Sequence, residues 1–217
     1  MTYLLLFAVA LAAYLIGGIN FAVIFAKLFT HEDVRNHGSG NAGTTNVMRT
    51  AGLLPGILTF VCDVLKGAAG CLVGKLVFTY VTSGIADWMH PTYAAYLCGV
   101  CCMLGHMYPA FFQFKGGKGV AMSVGIFSVC TPFWVALIAL AVFFLFAFTT
   151  KIVSLSSLIA TFAVFVLSII FRDTTANIIP QIIMCFMMCS FVYLKHIPNI
   201  KRLLKGEEKK FSLGGKK

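Results

Sequence analysis

The chain has 217 residues, of which 59% are hydrophobic and only 11% are charged, whereas soluble domains carry roughly a quarter charged residues. This composition excludes an ordinary water-soluble domain and predicts an all-α integral membrane protein. Because each bilayer span needs about 20 mainly apolar residues, a chain of this length can hold roughly five to seven helices. We expect a single domain over residues 1–217, with a basic tail from about residue 196.

The formal net charge is +10, and most of the basic residues lie in a few polar segments. Eight cysteines lie almost wholly inside apolar stretches and do not form two CxxC motifs, the spacing typical of a zinc site. We therefore interpret the cysteines as small hydrophobic residues and expect neither a metal site nor a disulfide framework.

The apolar segments follow one another in the order 3–28, 53–82, 92–113, 119–131, 133–149, 153–171 and 178–195. No Lys or Arg precedes the first run, so we interpret it as a retained span rather than a signal peptide. The second segment, at about 45 Å if helical, exceeds the hydrocarbon core of about 30 Å and must tilt or project. The fourth is too short to span comfortably and ends at Thr131–Pro132, which leaves five, six or seven crossings open.

Seven crossings place the connections 29–52, 114–118 and 150–152 on the same side as the C-terminal tail. That side holds nearly all the Lys and Arg residues. In the connections of the other side, Arg172 is the one basic residue of these two types. By the positive-inside rule the basic side is cytoplasmic, which puts the N-terminus outside and the C-terminus inside. The sequence shows no internal repeat of the kind found in many secondary transporters.

The first polar connection contains HEDVRNHGSGNAGTTNVMR, from His31 to Arg49. Glycines at three positions free the backbone to turn its N–H groups inward, as in an anion-binding nest, and short polar side chains add donors. Arg49 offers a planar guanidinium that suits a phosphate. A flexible linker is the alternative, and no P-loop pattern is present. The predicted anion-binding residues are Gly38, Ser39, Gly40, Asn41, Gly43, Thr44, Thr45, Asn46 and Arg49.

The second polar segment, GHMYPAFFQFKGGKGVAM, begins at Gly105. Two lysines bracket a pair of glycines, and a third glycine follows where a new helix would begin. Exposed N–H groups and the positive end of a helix dipole favour an anion there. Lysines that extend toward lipid headgroups are the alternative. The predicted anion-binding residues are Lys115, Gly116, Gly117, Lys118 and Gly119, whereas His106 is expected to be a satisfied structural histidine.

The third polar segment, HIPNIKRLLKGEEKKF, begins where the last apolar run ends. His196, Asn199 and Arg202 are spaced i, i+3 and i+6, so a helix would present them along one stripe, although Pro198 leaves its continuity open. A basic amphipathic tail on anionic lipid is the alternative, and it accounts better for the lysines from Lys209 onward.

Two further polar features lie in or beside the apolar segments. Asp63 and Lys66 form an i, i+3 pair in an apolar helix. Because charges inside a membrane are costly, such a pair usually faces a polar cavity or the bundle interior, so it is a candidate for the site, with purely structural pairing as the alternative. The hydroxyls of Ser154, Ser156 and Ser157 follow Lys151, and helix capping accounts for most of them.

Together these segments resemble the acyl-phosphate:glycerol-3-phosphate acyltransferase family of bacterial membranes, the PlsY family. GSGNAGTTNVMR at 38–49 is similar to the first family motif, GHMYPAFFQFKGGKGVAM to the second, HIPNIKRLLKGEE to the third, and DVLKG at 63–67 to the signature of the second helix. The resemblance covers almost the whole chain. Gly18, Thr44 and Met122 depart from the Ser, Ala and Thr that the family often has at these positions.

The resemblance implies a seven-helix fold and transfer of a long-chain acyl group from acyl phosphate to the 1-hydroxyl of glycerol 3-phosphate. The products are lysophosphatidic acid and phosphate, in the first acylation step of phospholipid synthesis at the bacterial inner membrane. It implies no metal, no cofactor, and neither acyl-CoA nor acyl carrier protein as donor. We also expect no nucleic acid and no obligate protein partner. None of the five histidines begins the HxxxxD signature of soluble-type acyltransferases.

By this resemblance the core of the site consists of Ser39, Arg49, Lys118, His196 and Asn199. His196 is either the general base for the acceptor hydroxyl or a residue that orients the acceptor while a phosphate oxygen takes the proton. A transporter or channel for a phosphorylated solute is the alternative function. The supporting substrate-binding residues are Gly40, Asn41, Gly43, Thr44, Asn46, Asp63, Lys66, Lys115, Gly116, Gly117, Gly119, Ser157, Arg202 and Glu207.

Overall fold

A computed structural model describes residues 2–81 and 90–211, apart from the side chain of Thr2. In these two ranges the regular elements are α-helices and short 3-10 turns, as expected for an all-α protein. The α-helices are α1 (Thr2–Gly18), α2 (Phe21–Thr30), α3 (Thr44–Thr50), α4 (Leu53–Val81), α5 (Pro91–Met107), α6 (Val120–Cys130), α7 (Phe133–Thr150), α8 (Val153–Ile170), α9 (Ile178–Lys195) and α10 (Ile197–Leu204).

Six helical stretches of the described chain are long and apolar enough to cross a membrane. They match the predicted segments closely, as an integral membrane protein requires. The first stretch is interrupted between α1 and α2, where the side chain of Asn20 accepts a hydrogen bond from the N–H of Val23 and begins a new helix. The end of the second predicted segment, residue 82, and most of the connection predicted at 83–91 lie outside the described residues. The six stretches are Tyr3–Thr30, Leu53–Val81, Pro91–Phe112, Phe133–Thr150, Val153–Ile170 and Ile178–Lys195.

The predicted short segment forms α6, a helix of 11 residues. Its rise of about 16 Å covers only about half of the hydrocarbon core. Thr131 ends the helix with extended backbone, and α7 begins directly after Pro132. The number of complete crossings therefore stays a prediction.

Close helix crossings depend on glycine. A Cβ atom at Gly17 of α1 would lie 1.9 Å from the carbonyl oxygen of Cys102, and one at Gly105 of α5 would lie 2.0 Å from that of Tyr14. A Cβ atom at Gly125 of α6 would likewise lie 1.9 Å from the carbonyl oxygen of Val64. Small residues let helix backbones approach in lipid, where packing rather than water exclusion drives association.

The eight cysteines are free thiols, and six of them are buried, which confirms their interpretation as small hydrophobic residues. They pack with large side chains such as Tyr96, Met103 and Met188 in the main core of the bundle.

The polar connections meet at one end of the bundle, called here the polar face: residues 31–52, 108–119, 151–152 and 196–211. Arg35 Nη1 donates to the carbonyl oxygen of Phe112 at 2.8 Å, which joins the first connection to the second. The N–H of Phe211 donates to the carbonyl oxygen of Lys151 at 2.6 Å, which brings the tail back against the start of α8. At the opposite end, Thr92 at the start of α5 donates to Asp173 after α8 at 2.5 Å.

Candidate active site

The first polar connection is organised around the buried side chain of Asn46. Its Oδ1 accepts from the N–H of Ser39 at 2.9 Å, and its Nδ2 donates to the carbonyl oxygens of Val34 at 2.9 Å and His37 at 3.0 Å. This network gives the connection a defined hydrogen-bonded structure, which favours a built site over a flexible linker. It holds the hydroxyl of Ser39 at the surface.

Two of the three predicted glycines adopt left-handed backbone in this connection, Gly38 with φ +64° and Gly40 with φ +70°. Gly43 instead is extended, with φ −157°, and precedes α3, a helix that the nest interpretation did not predict. Thr44 begins that helix, and its hydroxyl is buried without a hydrogen-bond partner among the described residues. Asn41 is partly buried beside them.

Arg49 lies on α3 with its side chain exposed, and it lines a pocket of about 340 Å³. Within the described part of the chain its guanidinium has no hydrogen-bond or ion-pair partner. Arg35 differs, because its Nη2 lies 2.7 Å from Asp33 Oδ2. The hydrogen bonds from Arg35 lower the pKa of Asp33. Arg49 is thus the uncommitted guanidinium of this connection. The other pocket residues are Ala26, Thr30, Glu32, Val34, His37, Gly38 and Thr50.

The second connection contains a tight turn that ends on the glycines. Gln113 and Phe114 both have left-handed backbone, with φ +59° and +57°, which is uncommon for residues other than glycine and often marks functional segments. Lys115 follows with its side chain exposed. The N–H of Gly117 then donates to the carbonyl oxygen of His106 at 3.1 Å, which fixes the glycine loop on the end of α5.

Close approach, rather than backbone angle, is why glycine is needed at two positions of this loop. A Cβ at Gly116 would lie 1.9 Å from the carbonyl oxygen of His106, and one at Gly117 would lie 2.7 Å from that of Ala42. The second contact brings the first and second connections together. Gly119, with φ +83°, has left-handed backbone and directly precedes α6, as predicted.

Helix lengths indicate that this loop is recessed. The 18 residues of α7 rise about 27 Å, whereas the 11 residues of α6 rise about 16 Å. The two helices pack together and are joined by only two residues. Because α6 rises about 10 Å less than α7, its start, with Lys118 just before it, is set back from the end of α7.

Asp63 and Lys66 form the predicted ion pair, with 2.7 Å between Oδ1 and Nζ and both side chains buried. Lys66 Nζ also donates to the carbonyl oxygen of Ile19 at 2.7 Å, and His106 Nδ1 lies 3.8 Å from Asp63 Oδ1. The pair thus ties α4 to the end of α1 and to α5, beneath the glycine loop. These neighbours favour the structural alternative for the pair, and His106 is buried beside it, in keeping with its predicted structural role.

The third connection continues as α10, in spite of Pro198, and joins the second through Lys118. Lys118 Nζ donates to Asn199 Oδ1. Asn199 Nδ2 in turn donates to Glu208 Oε1 at 2.6 Å, and Arg202 Nε donates to Glu208 Oε2 at 2.6 Å. Ser154 on α8 completes the cluster by donating to Glu208 Oε1 at 2.8 Å. Of the predicted stripe of His196, Asn199 and Arg202, the last two converge on this carboxylate.

Two residues of this cluster were missed by the sequence analysis. Glu208 holds it together, whereas the predicted Glu207 is exposed. Ser154 reaches Glu208, whereas the hydroxyl of the predicted Ser157 donates to the carbonyl oxygen of Val153 within its own helix. The sequence did point to these two segments, because Glu208 follows Glu207 and Ser154 lies three residues before Ser157. It did not show which of the two like residues enters the cluster.

Charges in the cluster shift its pKa values. Burial opposes ionisation of Glu208, but hydrogen bonds from Arg202, Asn199 and Ser154 outweigh it and lower the pKa of this carboxyl. Burial lowers the pKa of Lys118 to about 8, with the Glu208 carboxylate opposing the effect and the charge of Arg202 adding to it. The cluster combines two cations with one carboxylate and carries a net positive charge at neutral pH.

His196 lies between α9 and α10 with its side chain buried. Its Nδ1 is 2.8 Å from the carbonyl oxygen of Val192. Because a carbonyl oxygen only accepts, Nδ1 carries the proton in this contact and Nε2 of the neutral ring is left as an acceptor. Burial and the neighbouring charge of Lys118 lower the pKa of His196 to about 4, so the ring is neutral at physiological pH.

Comparison with known proteins links this arrangement to one family. The sequence profile of a family described as "Glycerol-3-phosphate acyltransferase" matches residues 7–206. The chain is 41% identical to a protein of that name from Clostridioides difficile, over 96% of both chains. It is 37% identical to "Glycerol-3-phosphate acyltransferase 2" from Bacillus anthracis, over 91% of this chain and 95% of the relative.

Two solved structures have the same fold, and both are of PlsY (YgiH), an integral membrane glycerol 3-phosphate acyltransferase. The glycerol 3-phosphate form superposes with a TM-score of 0.80 at 35% identity, covering 95% of this chain and 96% of that chain. The lysophosphatidic acid form gives a TM-score of 0.77 at 34% identity, covering 95% of each. Because the family profile matches nearly the whole chain, the chain belongs to the glycerol-3-phosphate acyltransferase family.

Proposed function

We propose that this protein transfers a fatty acyl group from acyl phosphate to the 1-hydroxyl of glycerol 3-phosphate. Family membership supports acyl transfer to this acceptor, and the PlsY structures are described as forms with the acceptor and with an acylated product. The relatives and structures compared are acyltransferases, so they lend no support to a phosphorylated-solute transporter. The whole chain would act as one catalytic domain.

The charge state of Lys118 carries the proposal. Buried charges are normally paired, because removing a charge from water is costly. Lys118 is partly buried. Within the described residues, however, it donates to a neutral amide, and the nearby carboxylate of Glu208 already accepts from three other side chains. Lys118, with the uncommitted Arg49 and Lys115, thus leaves positive charge for substrate phosphates. Both proposed substrates, acyl phosphate and glycerol 3-phosphate, carry a phosphate group.

The reaction needs no covalent enzyme intermediate, since an acyl phosphate is already activated. The C1 oxygen of glycerol 3-phosphate attacks the acyl carbon and forms the ester bond, while the bond from that carbon to the phosphate oxygen breaks. The proton of the acceptor hydroxyl ends on the released phosphate. Lys118 and Arg49 would neutralise phosphate charge as the bond breaks, and Ser39 would donate to a phosphate oxygen.

For proton removal we favour the phosphate oxygen over His196. A ring with its pKa lowered to about 4 is a weak base, whereas the departing phosphate becomes more basic as the acyl bond breaks. In this scheme Nε2 of His196 accepts a hydrogen bond from the acceptor hydroxyl and orients it, and the free hydroxyl of Thr44 is a further donor for substrate. Asn199 positions Lys118.

The direct test is an assay of the purified protein in detergent with palmitoyl phosphate and glycerol 3-phosphate. We expect equimolar lysophosphatidic acid and inorganic phosphate, with no loss after treatment with a chelator, and no product from palmitoyl-CoA. Arg49→Ala is the matched inactive control. Efficient transfer from palmitoyl-CoA, or loss on chelation that zinc restores, would contradict the proposal.

We further propose that the polar face is cytoplasmic in a bacterial inner membrane, with seven crossings and the N-terminus outside. The basic residues of the four connections support this by the positive-inside rule. Cysteine labelling tests it: in intact cells a membrane-impermeant maleimide should modify Thr175→Cys but not Lys201→Cys, and inverted vesicles should reverse the pattern. The parent protein, with its native cysteines, sets the background. The opposite labelling pattern would overturn the orientation.

A further inference from the structure

An apolar groove runs between α8 and α9 on the surface of the bundle, with a volume of about 420 Å³. It opens toward the membrane, since two of its rings, Phe162 and Phe186, are 61% and 60% exposed. Phe165 and Phe186 approach edge to face with 6.1 Å between ring centroids, one ring from each helix. Both rings line the groove. The lining residues are Phe162, Phe165, Phe186, Cys189, Ser190, Tyr193 and Leu194.

Contacts between the two helices fix which end of the groove is nearer the polar face. Near the polar face, the hydroxyl of Tyr193 donates to the carbonyl oxygen of Leu158 at 2.9 Å. Deeper in the bundle, the Sγ of Cys189 contacts the carbonyl oxygen of Thr161 at 3.7 Å. The phenylalanine pair comes next. Ser168 Oγ and Cys185 Sγ, 2.9 Å apart, lie beyond it. The Phe165–Phe186 pair is therefore the deep end.

The open end of the groove leads to the candidate active site along both helices. On α8, Ser154 lies one turn before Leu158 and two turns before Phe162, on the same stripe. On α9, Tyr193 is followed three residues later by His196. Ser154 binds Glu208, and His196 adjoins Lys118. Both helices therefore lead from the groove to the cluster around Lys118 and Glu208.

The depth of the groove matches that of one leaflet. From Leu194 to Phe186, eight residues of α9 rise about 12 Å, and one leaflet of the hydrocarbon core is about 15 Å thick. A chain anchored by its phosphate at the cluster would thus run down the groove to the phenylalanine pair near the bilayer centre.

We propose that this groove binds the acyl chain of the donor, and that Phe165 and Phe186 form the floor that sets the preferred chain length. The inference rests on the proposed function. An acyl phosphate joins a charged head to an apolar tail, and the groove continues the cationic cluster into lipid. Its aromatic walls supply the apolar contact that the tail requires.

The floor is tested by comparing kcat/KM for lauroyl, palmitoyl and stearoyl phosphate. Phe186→Trp fills the deep end, so we expect stearoyl transfer to fall about tenfold relative to lauroyl transfer. Phe186→Ala opens the floor and should move the preference toward stearoyl phosphate. Phe7→Trp replaces an equally exposed ring, 65% accessible, on α1 and should leave the profile unchanged. An unchanged profile in both Phe186 variants would overturn the proposal.

Crosslinking of the unmodified protein provides a readout that does not depend on a variant folding. Palmitoyl phosphate with a diazirine near its methyl end should label α8 and α9 around the phenylalanine pair, and unlabelled palmitoyl phosphate should compete. Labelling elsewhere, or labelling in the groove without competition, as by a bulk lipid chain, would refute the assignment. If the wild-type protein made no lysophosphatidic acid, the proposed function itself would fail, which is a separate result.

Discussion

At the scale of single residues, His196 and Lys118 differ from their solution behaviour because they share a partly dry environment. Each has a lowered pKa, to about 4 and about 8, so the neutral ring faces a cation that is itself easily neutralised. Because the neutral ring is a weak base while Lys118 is still largely charged at neutral pH, anion binding by Lys118 is favoured over proton removal by His196. This difference leads to two predictions.

His196→Gln separates orientation from general-base catalysis. If the ring only orients the acceptor, glutamine should raise the KM for glycerol 3-phosphate and lower kcat by less than the roughly 10²-fold that loss of a general base causes. The acidic limb of the kcat profile should persist. A larger fall in kcat together with loss of that limb would identify His196 as the base, and near-normal constants would leave it a structural residue.

Lys118 predicts a basic limb in the pH profile. Because the folded protein loses this charge as the pH rises through about 8, kcat/KM for the free enzyme should fall above that pH. Lys118→Arg should be less active but should keep its charge and move the limb upward. The pKa of Lys118 is 10.5 in the unfolded chain and about 8 in the folded protein. Between these values the unfolded chain binds more protons, so the free energy of unfolding rises with pH. A melting temperature that fell in parallel with activity would point to unfolding instead.

At the scale of elements, glycines serve two purposes that a substitution can distinguish. Gly116 lets the glycine loop lie against the end of α5, whereas Gly125 lets α6 cross α4, and each would place a Cβ 1.9 Å from a carbonyl oxygen. The first contact shapes the site, and the second holds the bundle.

Gly116→Ala should therefore raise the KM values for both substrates with a small effect on thermal stability, because the loop can shift. Gly125→Ala should instead lower the melting temperature, since overpacking between helices costs about 1 to 3 kcal/mol. Gly18→Ala is the control, with its nearest atom 4.0 Å away. Equal loss of stability in the Gly116 and Gly125 variants would contradict this division.

At the scale of the whole molecule, the Asp63–Lys66 pair connects α4 to the end of α1 and to α5. Asp63→Asn would leave the charge of Lys66 buried without its counter-ion, and we expect a loss of about 3 to 5 kcal/mol in unfolding free energy. Asp63→Asn combined with Lys66→Met should recover much of that loss. If the single variant kept its stability but lost substrate binding, the pair would belong to the site rather than to the scaffold.

The sequence by itself determined the apolar segments, the basic end of the bundle and the three polar segments of the site. These properties are local, because lipid requires long apolar runs and a backbone nest for an anion is built from consecutive residues. Arg49 and Lys118 were predicted on that basis, and Asn199 was predicted from its i, i+3 spacing to His196 and from the family resemblance. The interruption of the first helix at Asn20 and the helix α3 were not predicted. Asn20 caps α2 inside a continuous apolar run, and α3 begins after the extended Gly43 without a side-chain cap.

Only the tertiary structure decided between neighbours of the same type. Glu208 rather than Glu207 enters the cluster because the chain reverses after α10, at Gly206 with φ +71°, and the N–H of Phe211 docks on Lys151. Ser154 rather than Ser157 reaches it because of the rotation of α8 against α10. Glycine at 116 reflects contact with His106, ten residues earlier, and the groove exists only where α8 meets α9. Such choices depend on helix rotation and on contacts distant in sequence, which composition and spacing do not specify.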